Sequence, residues 1–301
     1  MKYLLIINPT SGKGIYKSLI TKAEKAFSCC NLTSTGQKNY HEHILKVKIT
    51  AKRGDAVSFA KATNADVVIA AGGDGTVNEV INGIMMNNLH GTKRPRLAVI
   101  PLGTSNMVAR SLNVPKNIDK ALQIILSNRR KDLDIGKVNQ RYFSIGCGVG
   151  LDAMMYKNVE PKIKKLFGEV AYPLSFIKTV FNYNPELLEV HVDGQAFTGY
   201  YVLVCNITQF HHLFRLVKCS RDDDGLFDVL IFKKKEIGHI FRYVLGVAAQ
   251  QAHNLKDLHC LKASELRITS QKKVIAHADA EIIGGTPVTV KMYKKAIEVV
   301  C

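Results

Sequence analysis

The sequence predicts an α/β protein, with an N-terminal Rossmann-like domain built on a parallel sheet and a C-terminal, mostly antiparallel, β-sandwich-like domain. Three observations lead there. Over roughly the first 100 residues, short apolar runs alternate with longer amphipathic ones, the pattern of parallel strands covered by helices. Beyond residue 132 the texture changes to strand-like runs punctuated by Gly and Asp. The length of 301 residues suits two hydrophobic cores better than one.

The elements follow in order. Lys2 to Ile7 is an apolar run stopped by Asn8-Pro9, hence a strand. Ile15 to Phe27, Gly54 to Ala62 and Val77 to Met86 carry apolar residues at three-to-four spacing and read as helices. Ile44 to Thr50, Asp66 to Ala71 and Arg96 to Pro101 read as the remaining strands. Short right-handed crossovers would gather the loops after these strands along one edge, where such sheets bind ligands. The boundary is expected near Asn128 to Asp132, giving a first domain over 1–132, joined by the segment 291–301, and a second over 133–290. In the second, Gln140 to Ile145, Leu187 to Val192, Tyr200 to Asn206, Phe227 to Phe232, Glu265 to Thr269 and Pro287 to Val290 read as strands. Its clearest helix runs from Pro161 to Phe181, where Ile163, Leu166, Phe167, Val170, Leu174, Ile177 and Phe181 form one stripe; Pro173 should kink it or begin a second helix.

Composition narrows the class of function. With 47% hydrophobic and 22% charged residues the chain is globular rather than disordered or fibrous. No apolar run reaches the ~18 residues of a membrane span, and Met1 to Ile7 is too short for a signal peptide, so a cytoplasmic protein is expected. The seven cysteines are scattered, without the C-x-x-C spacing of a zinc or redox site, and read as reduced thiols. A formal net charge of +17 calls for a polyanionic partner: nucleotide, anionic lipid or nucleic acid. The basic residues are dispersed and no zinc-finger or RNP motif occurs, so nucleic acid is not expected as a partner.

Chemistry concentrates where strands end. Asp66 to Ala71 runs straight into Gly72-Gly73-Asp74-Gly75-Thr76, with a helix expected from Val77. Such a loop lets backbone N–H groups approach phosphate oxygens without Cβ obstruction, at the positive end of a helix, and Asp74 is placed to engage a metal ion or its water. Taken alone, the same residues could be a strand-to-helix turn capped by Thr76. Two more small polar loops keep it company: Asn8-Pro9-Thr10-Ser11-Gly12 after the first strand, and Pro101-Leu102-Gly103-Thr104-Ser105-Asn106 after the fourth. Three converging loops of this kind are hard to explain as turns alone.

These three motifs, with Val77-Asn78-Glu79-Val80, Asn82-Gly83 and Ala109-Arg110, resemble the diacylglycerol kinase catalytic-domain family, which includes the sphingosine kinases and soluble bacterial lipid kinases. The resemblance covers nearly the whole chain. It implies an ATP-dependent lipid kinase that transfers the γ-phosphoryl group to a lipid hydroxyl, diacylglycerol first, with Mg2+ as the accompanying ion. The implied nucleotide contacts are Asn8, Pro9, Thr10, Ser11, Gly12, Thr50, Gly73, Asp74, Gly75, Thr76, Val77, Asn78, Glu79 and Thr104. Arg221-Asp222-Asp223-Asp224-Gly225-Leu226 looks like the family's structural magnesium loop, with the Asp224 carboxylate and the Arg221 and Leu226 carbonyls as ligands. His277-Ala278-Asp279-Ala280-Glu281 resembles its Asp-Gly-Glu motif, which makes Glu281 the first choice for catalytic base and Asp279 the second. Ala280 departs from that pattern: if the backbone there needs positive φ, alanine would shift both carboxylates.

A lipid acceptor also requires docking to a bilayer. The segment from Tyr156 to Phe181, with Lys157, Lys162, Lys164, Lys165 and Lys178 against Glu160 and Glu169, suits reversible, peripheral contact with an anionic surface. Two other functions share parts of the pattern: an NAD or sugar-phosphate kinase, since those also use Gly-Gly-Asp-Gly, and a non-catalytic nucleotide or lipid sensor, which Ala280 makes conceivable. The acceptor lipid and the oligomeric state are not legible, a homodimer being compatible with the sequence.

Overall fold

The computed structural model describes residues 1–28, 43–87, 94–159, 171–207, 209–211, 214–215, 224–249, 251 and 254–301. They form two compact units, Met1–Leu133 with Ala296–Cys301, and Asp134–Lys295.

The first unit contains β1 (Lys2–Ile7), α1 (Tyr16–Ser28), β2 (Ile44–Ile49), α2 (Asp55–Lys61), β3 (Val67–Gly72), α3 (Asp74–Met85), β4 (Arg96–Pro101), α4 (Met107–Ser111) and α5 (Ile118–Ser127). The strands lie parallel in the order β2-β1-β3-β4. β3 and β4 are buried along their whole length, as central strands covered on both faces must be, which is why their sequences run apolar without alternation. Residues 296–301 join this unit, with Val299 paired in parallel to Leu97 and the Cys301 amide bonded to the Arg129 carbonyl. Helix α3 starts at Asp74, three residues before the expected Val77, so Asp74 belongs to its first turn and not to a preceding loop. Helix α5 was not anticipated, although its signals are in the sequence: the Asn117 side chain caps the Lys120 amide and Asn128 closes the helix in the left-handed conformation.

The chain passes between units within β5 (Arg130–Val138) and again within β18 (Val288–Val300). Between these, the second unit contains β6 (Arg141–Phe143), β7 (Gly146–Val149), α6 (Leu151–Asn158), α7 (Ala171–Asn182), β8 (Leu188–Val192), β9 (Gln195–Gly199), β10 (Tyr201–Cys205), β11 (Gln209–His211), β12 (Phe214–Arg215), β13 (Phe227–Phe232), α8 (Ile237–Ala248), β14 (Leu258–Ala263), β15 (Glu265–Ser270), β16 (Ile275–Ala278) and β17 (Glu281–Gly285). One antiparallel sheet has the order β14-β13-β10-β7-β16-β17. Another runs β18-β15-β8-β9. A core that includes Phe143, Val190, Val204, Phe227, Ile231, Ile268 and Val290 joins residues of both sheets, the sandwich that the sequence predicts. A second cluster, with Leu151, Val180, Tyr201, Leu230, Ile240 and Tyr243, packs α6, α7 and α8 onto β10 and β13. β13 is therefore buried on both faces, whereas β8 alternates buried and exposed residues.

The expected strand from Gln140 to Ile145 is broken: β6 ends at Phe143, and the amides of Ser144, Ile145 and Gly146 turn to the Asp279 carboxylate. Residues 161–170 of the expected helix from Pro161 to Phe181 fall outside the described residues. Its visible part, α7, starts at Ala171, with Pro173 in the first turn, where a missing N–H does no harm.

Candidate active site

In the first unit the three small polar loops emerge together at the carboxyl ends of β1, β3 and β4. The Asn8 amide of the first loop bonds to the Ala71 carbonyl at 3.0 Å, and the Leu102 amide of the third to the Gly72 carbonyl at 2.9 Å. Asn8 ties the first two loops by side chain, its Nδ2 donating to Thr76 Oγ1 at 3.1 Å, while its Oδ1 accepts from the Thr10 amide at 3.0 Å and hydroxyl at 2.7 Å. Gly73 and Gly103 meet backbone to backbone: a Cβ on Gly103 would lie 2.5 Å from the Gly73 Cα. Only paired glycines permit that approach. Asn106, at positive φ, closes the third loop by accepting from the Gly103 amide at 2.8 Å and donating to its carbonyl at 2.6 Å.

Asp74 opens α3 and its Oδ1 accepts the Val108 amide at 3.3 Å, linking the middle loop to α4. The first N–H groups of a helix have no partner within it, so Asp74, Gly75 and Thr76 stand at a terminus suited to phosphate oxygens. Glu79, one turn on, accepts the Gly54 amide at 3.1 Å and thereby fastens the segment after β2 to α3. Thr50 sits in that segment, its amide and hydroxyl both on the Ile7 carbonyl at 2.9 and 3.3 Å. Ser11 and Gly12 begin the 3-10 turn that follows Pro9 and Thr10, and Thr104 is exposed at its loop tip. Val77 and Asn78 are buried, Asn78 taking a hydrogen bond from Asn82, so these two support the loop from beneath.

In the second unit, β16 and β17 are joined by a two-residue turn, Ala278 pairing with Glu281 across it. Asp279 and Ala280 have φ of 45° and 66°, the left-handed pair that a tight hairpin of this kind demands. Ala280 does occupy a position that favours glycine. Asp279 is buried, and its carboxylate is enclosed: Oδ2 accepts from the Ser144 amide at 2.9 Å and hydroxyl at 3.1 Å, Oδ1 from the Ile145 and Gly146 amides at 2.8 and 3.0 Å. Four donors use up the acceptor sites of a carboxylate. Glu281, at the start of β17, is ion-paired to Arg141 of β6 and keeps part of its side chain in solvent.

Asp224 and Leu226 lie before β13, whereas Arg221 falls outside the described residues. Asp224 Oδ1 accepts the Leu226 amide at 3.0 Å and Oδ2 is paired with the Lys262 ammonium. The ammonium stands in for a cation beside a carboxylate at a turn, so the donor chemistry fits a hard metal ion, which would displace a long, partly exposed lysine. Among the described residues no cluster of three or more His, Cys, Asp or Glu side chains gathers as a metal site, at this turn or elsewhere.

Residues 2–138 match the diacylglycerol kinase catalytic domain, and residues 146–301 match the YegS C-terminal NAD kinase beta sandwich-like domain. A diacylglycerol kinase of Bacillus subtilis (strain 168) is 31% identical over 293 residues, covering 94% of this chain and 90% of its own. The chain belongs to the diacylglycerol kinase family. One from Staphylococcus aureus (strain JH9) is 32% identical over 304 residues, covering 98% of this chain and 90% of its own. A solved structure of a diacylglycerol kinase from Bacillus anthracis str. Sterne superposes with a TM-score of 0.78 at 27% identity, over 99% of this chain and 96% of that one. Members of the diacylglycerol kinase family are enzymes that phosphorylate an alcohol group, and this chain is one of them.

For this diacylglycerol kinase family member, sequence reasoning missed several supports of the site. Arg141 and Ser144, which hold Glu281 and Asp279, look like ordinary strand residues. Asp134 is buried, its oxygens accepting the Gly225 amide at 2.8 Å and the Lys295 amide at 2.6 Å, and so fixes the turn that carries Asp224. Its one local sign was its place between the apolar Leu133 and Ile135. His277 and Asp152, 125 positions apart, gave no local signal at all.

Proposed function

We propose that the protein transfers the γ-phosphoryl group of ATP to the free hydroxyl of diacylglycerol. The observation that carries the acceptor side is the contrast between the two carboxylates of the β16–β17 turn: Asp279 is spent on four hydrogen bonds, while Glu281 is oriented by one arginine and reaches solvent. Glu281 is then the base.

The donor lies on the loops of the first unit. The amides at the start of α3 receive phosphate oxygens, the Gly73–Gly103 contact keeps side chains out of their way, and Asn8, Thr10, Ser11, Gly12, Thr50 and Thr104 complete the cradle. Magnesium accompanying the phosphates would neutralise part of their charge, and Asp74 would be the carboxylate that holds it. Glu281 accepts the hydroxyl proton as the lipid oxygen bonds to the γ-phosphorus and the bond to the β–γ bridging oxygen breaks, leaving ADP and the phosphorylated lipid. Asp224 and the Leu226 carbonyl would hold a second, structural magnesium ion, with the Arg221 carbonyl as its third protein ligand.

A lipid acceptor must be reached at a bilayer. Helix α8 buries Ile240 and Tyr243 but presents Ile237, Phe241, Val244 and Leu245 outward at helical spacing, Leu245 being 69% exposed. On α7, Phe181 is 62% exposed. Lys233, Lys234 and Lys235 precede α8, Arg242 lies on it, and Lys178 lies on α7. Apolar residues flanked by cations suit shallow, reversible docking to anionic lipid. Among the described residues no helix is long and apolar enough to cross a membrane. Of the basic residues expected on the segment from Tyr156 to Phe181, Lys157 lies on α6 and Lys178 on α7, whereas Lys162, Lys164 and Lys165 fall outside the described residues.

The deciding experiment incubates the protein with γ-labelled ATP, magnesium and a total lipid extract and identifies the product by mass spectrometry. Labelled phosphatidate is expected. Labelled NADP without a chloroform-soluble product would overturn the reading in favour of a nucleotide acceptor, and ATP binding without turnover on any lipid would make the protein a sensor.

A further inference from the structure

His277 lies on β16 directly before Ala278 and the turn, and is only 6% exposed. Each ring nitrogen has one partner. Nδ1 accepts the Ala280 amide at 3.3 Å, and Nε2 stands 2.5 Å from Oδ2 of Asp152 on α6. An accepting nitrogen carries no proton, so the ring proton is on Nε2 and is donated to Asp152. Tyr156, one turn along α6, closes over the ring edge-on at 4.6 Å between centroids.

The seat of Asp152 is itself built. His277 pairs with Gly148 of β7, and a Cβ at Gly148 would come within 2.0 Å of Asp152 Oδ2. The carboxylate thus occupies the space that the strand leaves by having no side chain there. Asp152 fixes the tautomer and direction of the imidazole, and the imidazole fixes an amide.

That amide belongs to Ala280, which at φ 66° adopts a conformation that alanine disfavours. The Ser144–Gly146 amides hold the Asp279 side of the turn; on the Ala280 side, His277 supplies the hydrogen bond. We infer that His277, aligned by Asp152, is a positioning residue for phosphoryl transfer: it holds the alanine in the left-handed conformation and thereby sets where Glu281 enters β17. The inference rests on the reading of Glu281 as the base.

The test is a double-mutant cycle in the full-length protein, assayed with ATP, magnesium and diacylglycerol in mixed micelles and followed in parallel by thermal melting. His277→Leu fills the core but removes the acceptor, and should lower kcat roughly 10-fold or more with the KM for ATP nearly unchanged. Adding Ala280→Gly, which lets the backbone take positive φ without help, should restore most of that loss. His277→Asn places an amide oxygen where Nδ1 stands and should retain more activity than His277→Leu. A His277→Leu variant with wild-type kcat, or one that Ala280→Gly does not rescue, would overturn the positioning role and leave His277 as core filling. If His277→Leu fails to fold, the Asn variant decides: a loss as deep as that of Asp279→Asn would overturn the idea. The melting cycle separates this from the functional reading. Coupled melting shifts at 277 and 280 establish the contact whatever the acceptor, whereas a normal Glu281→Gln variant would sink the choice of base.

Discussion

Asp279 is bound twice to Ser144, its Oδ2 accepting both the serine amide at 2.9 Å and the serine hydroxyl at 3.1 Å. A carboxylate so engaged acts as a strut between the β16–β17 turn and the start of β7. In Asp279→Asn one of the two oxygens becomes an NH2 group facing donors, and each buried donor left unsatisfied costs about 1–3 kcal/mol. Urea denaturation should show a loss of about that size or more, with any loss of activity following the loss of fold.

Glu281→Gln keeps the shape of the side chain and removes its basicity. Turnover should fall by about 10²-fold or more. Because the Glu281–Arg141 pair is partly solvated, the melting temperature should hardly move, and ATP affinity should be unchanged. A normal kcat in this variant would assign the base elsewhere.

Gly103→Ala should separate the first unit's loops, since the new Cβ would stand 2.5 Å from a backbone carbon that cannot rotate away. A displacement of about 1 Å in a positioned reactant costs roughly 10²-fold, so kcat/KM for ATP should drop on that scale. Titration with a fluorescent ATP analogue checks the binding component directly.

The magnesium ion proposed at Asp224 is tested by melting. Asp224→Ala should lower the melting temperature more in magnesium than in chelator, because an ion stabilises only the state that binds it. Lys262→Met, which removes the competing ammonium, should widen the difference between the two buffers. Equal shifts for Asp224→Ala in both would mean that only the ion pair with Lys262 was lost.

For the bilayer, Phe241→Ser with Leu245→Ser should weaken sedimentation with phosphatidylglycerol vesicles by about 10-fold, given ~1.5–3 kcal/mol for a fully buried side chain of this size and only shallow insertion. Binding by the wild type should fall as salt rises, since exposed charges are screened over about 8 Å at physiological ionic strength. Vesicle binding indifferent to both changes would place the docking surface elsewhere.

What was legible in the sequence followed from local pattern. The central strands β3 and β4 of the first unit read correctly because burial on both faces leaves an almost unbroken apolar run, as in Val67–Gly72. Gly-Cys-Gly-Val at β7 did not, because two glycines mimic a loop when their purpose is close contact, Gly148 with the Asp152 carboxylate being the case in point. Helix α8 went unread although its signal is in the sequence: Ile237, Ile240, Phe241, Val244 and Leu245 recur at three-to-four spacing. Glu281 was singled out through its motif, but Arg141, which pairs with it, and Asp152, which pairs with His277, are long-range partners that no window of sequence contains.

The strand pairing of Val299 with Leu97 bears on the order of events during synthesis. A ribosome delivers the loops after β1, β3 and β4 first, yet the unit that carries them takes residues 296–301 only after the whole of Asp134–Lys295 has emerged. Until then the far edge of β4 lacks its neighbour, and an open strand edge invites pairing with other chains. The nascent first unit therefore depends on delayed closure from the distal end of the sequence, and truncation before residue 296 would remove a strand from the unit furthest away along the chain.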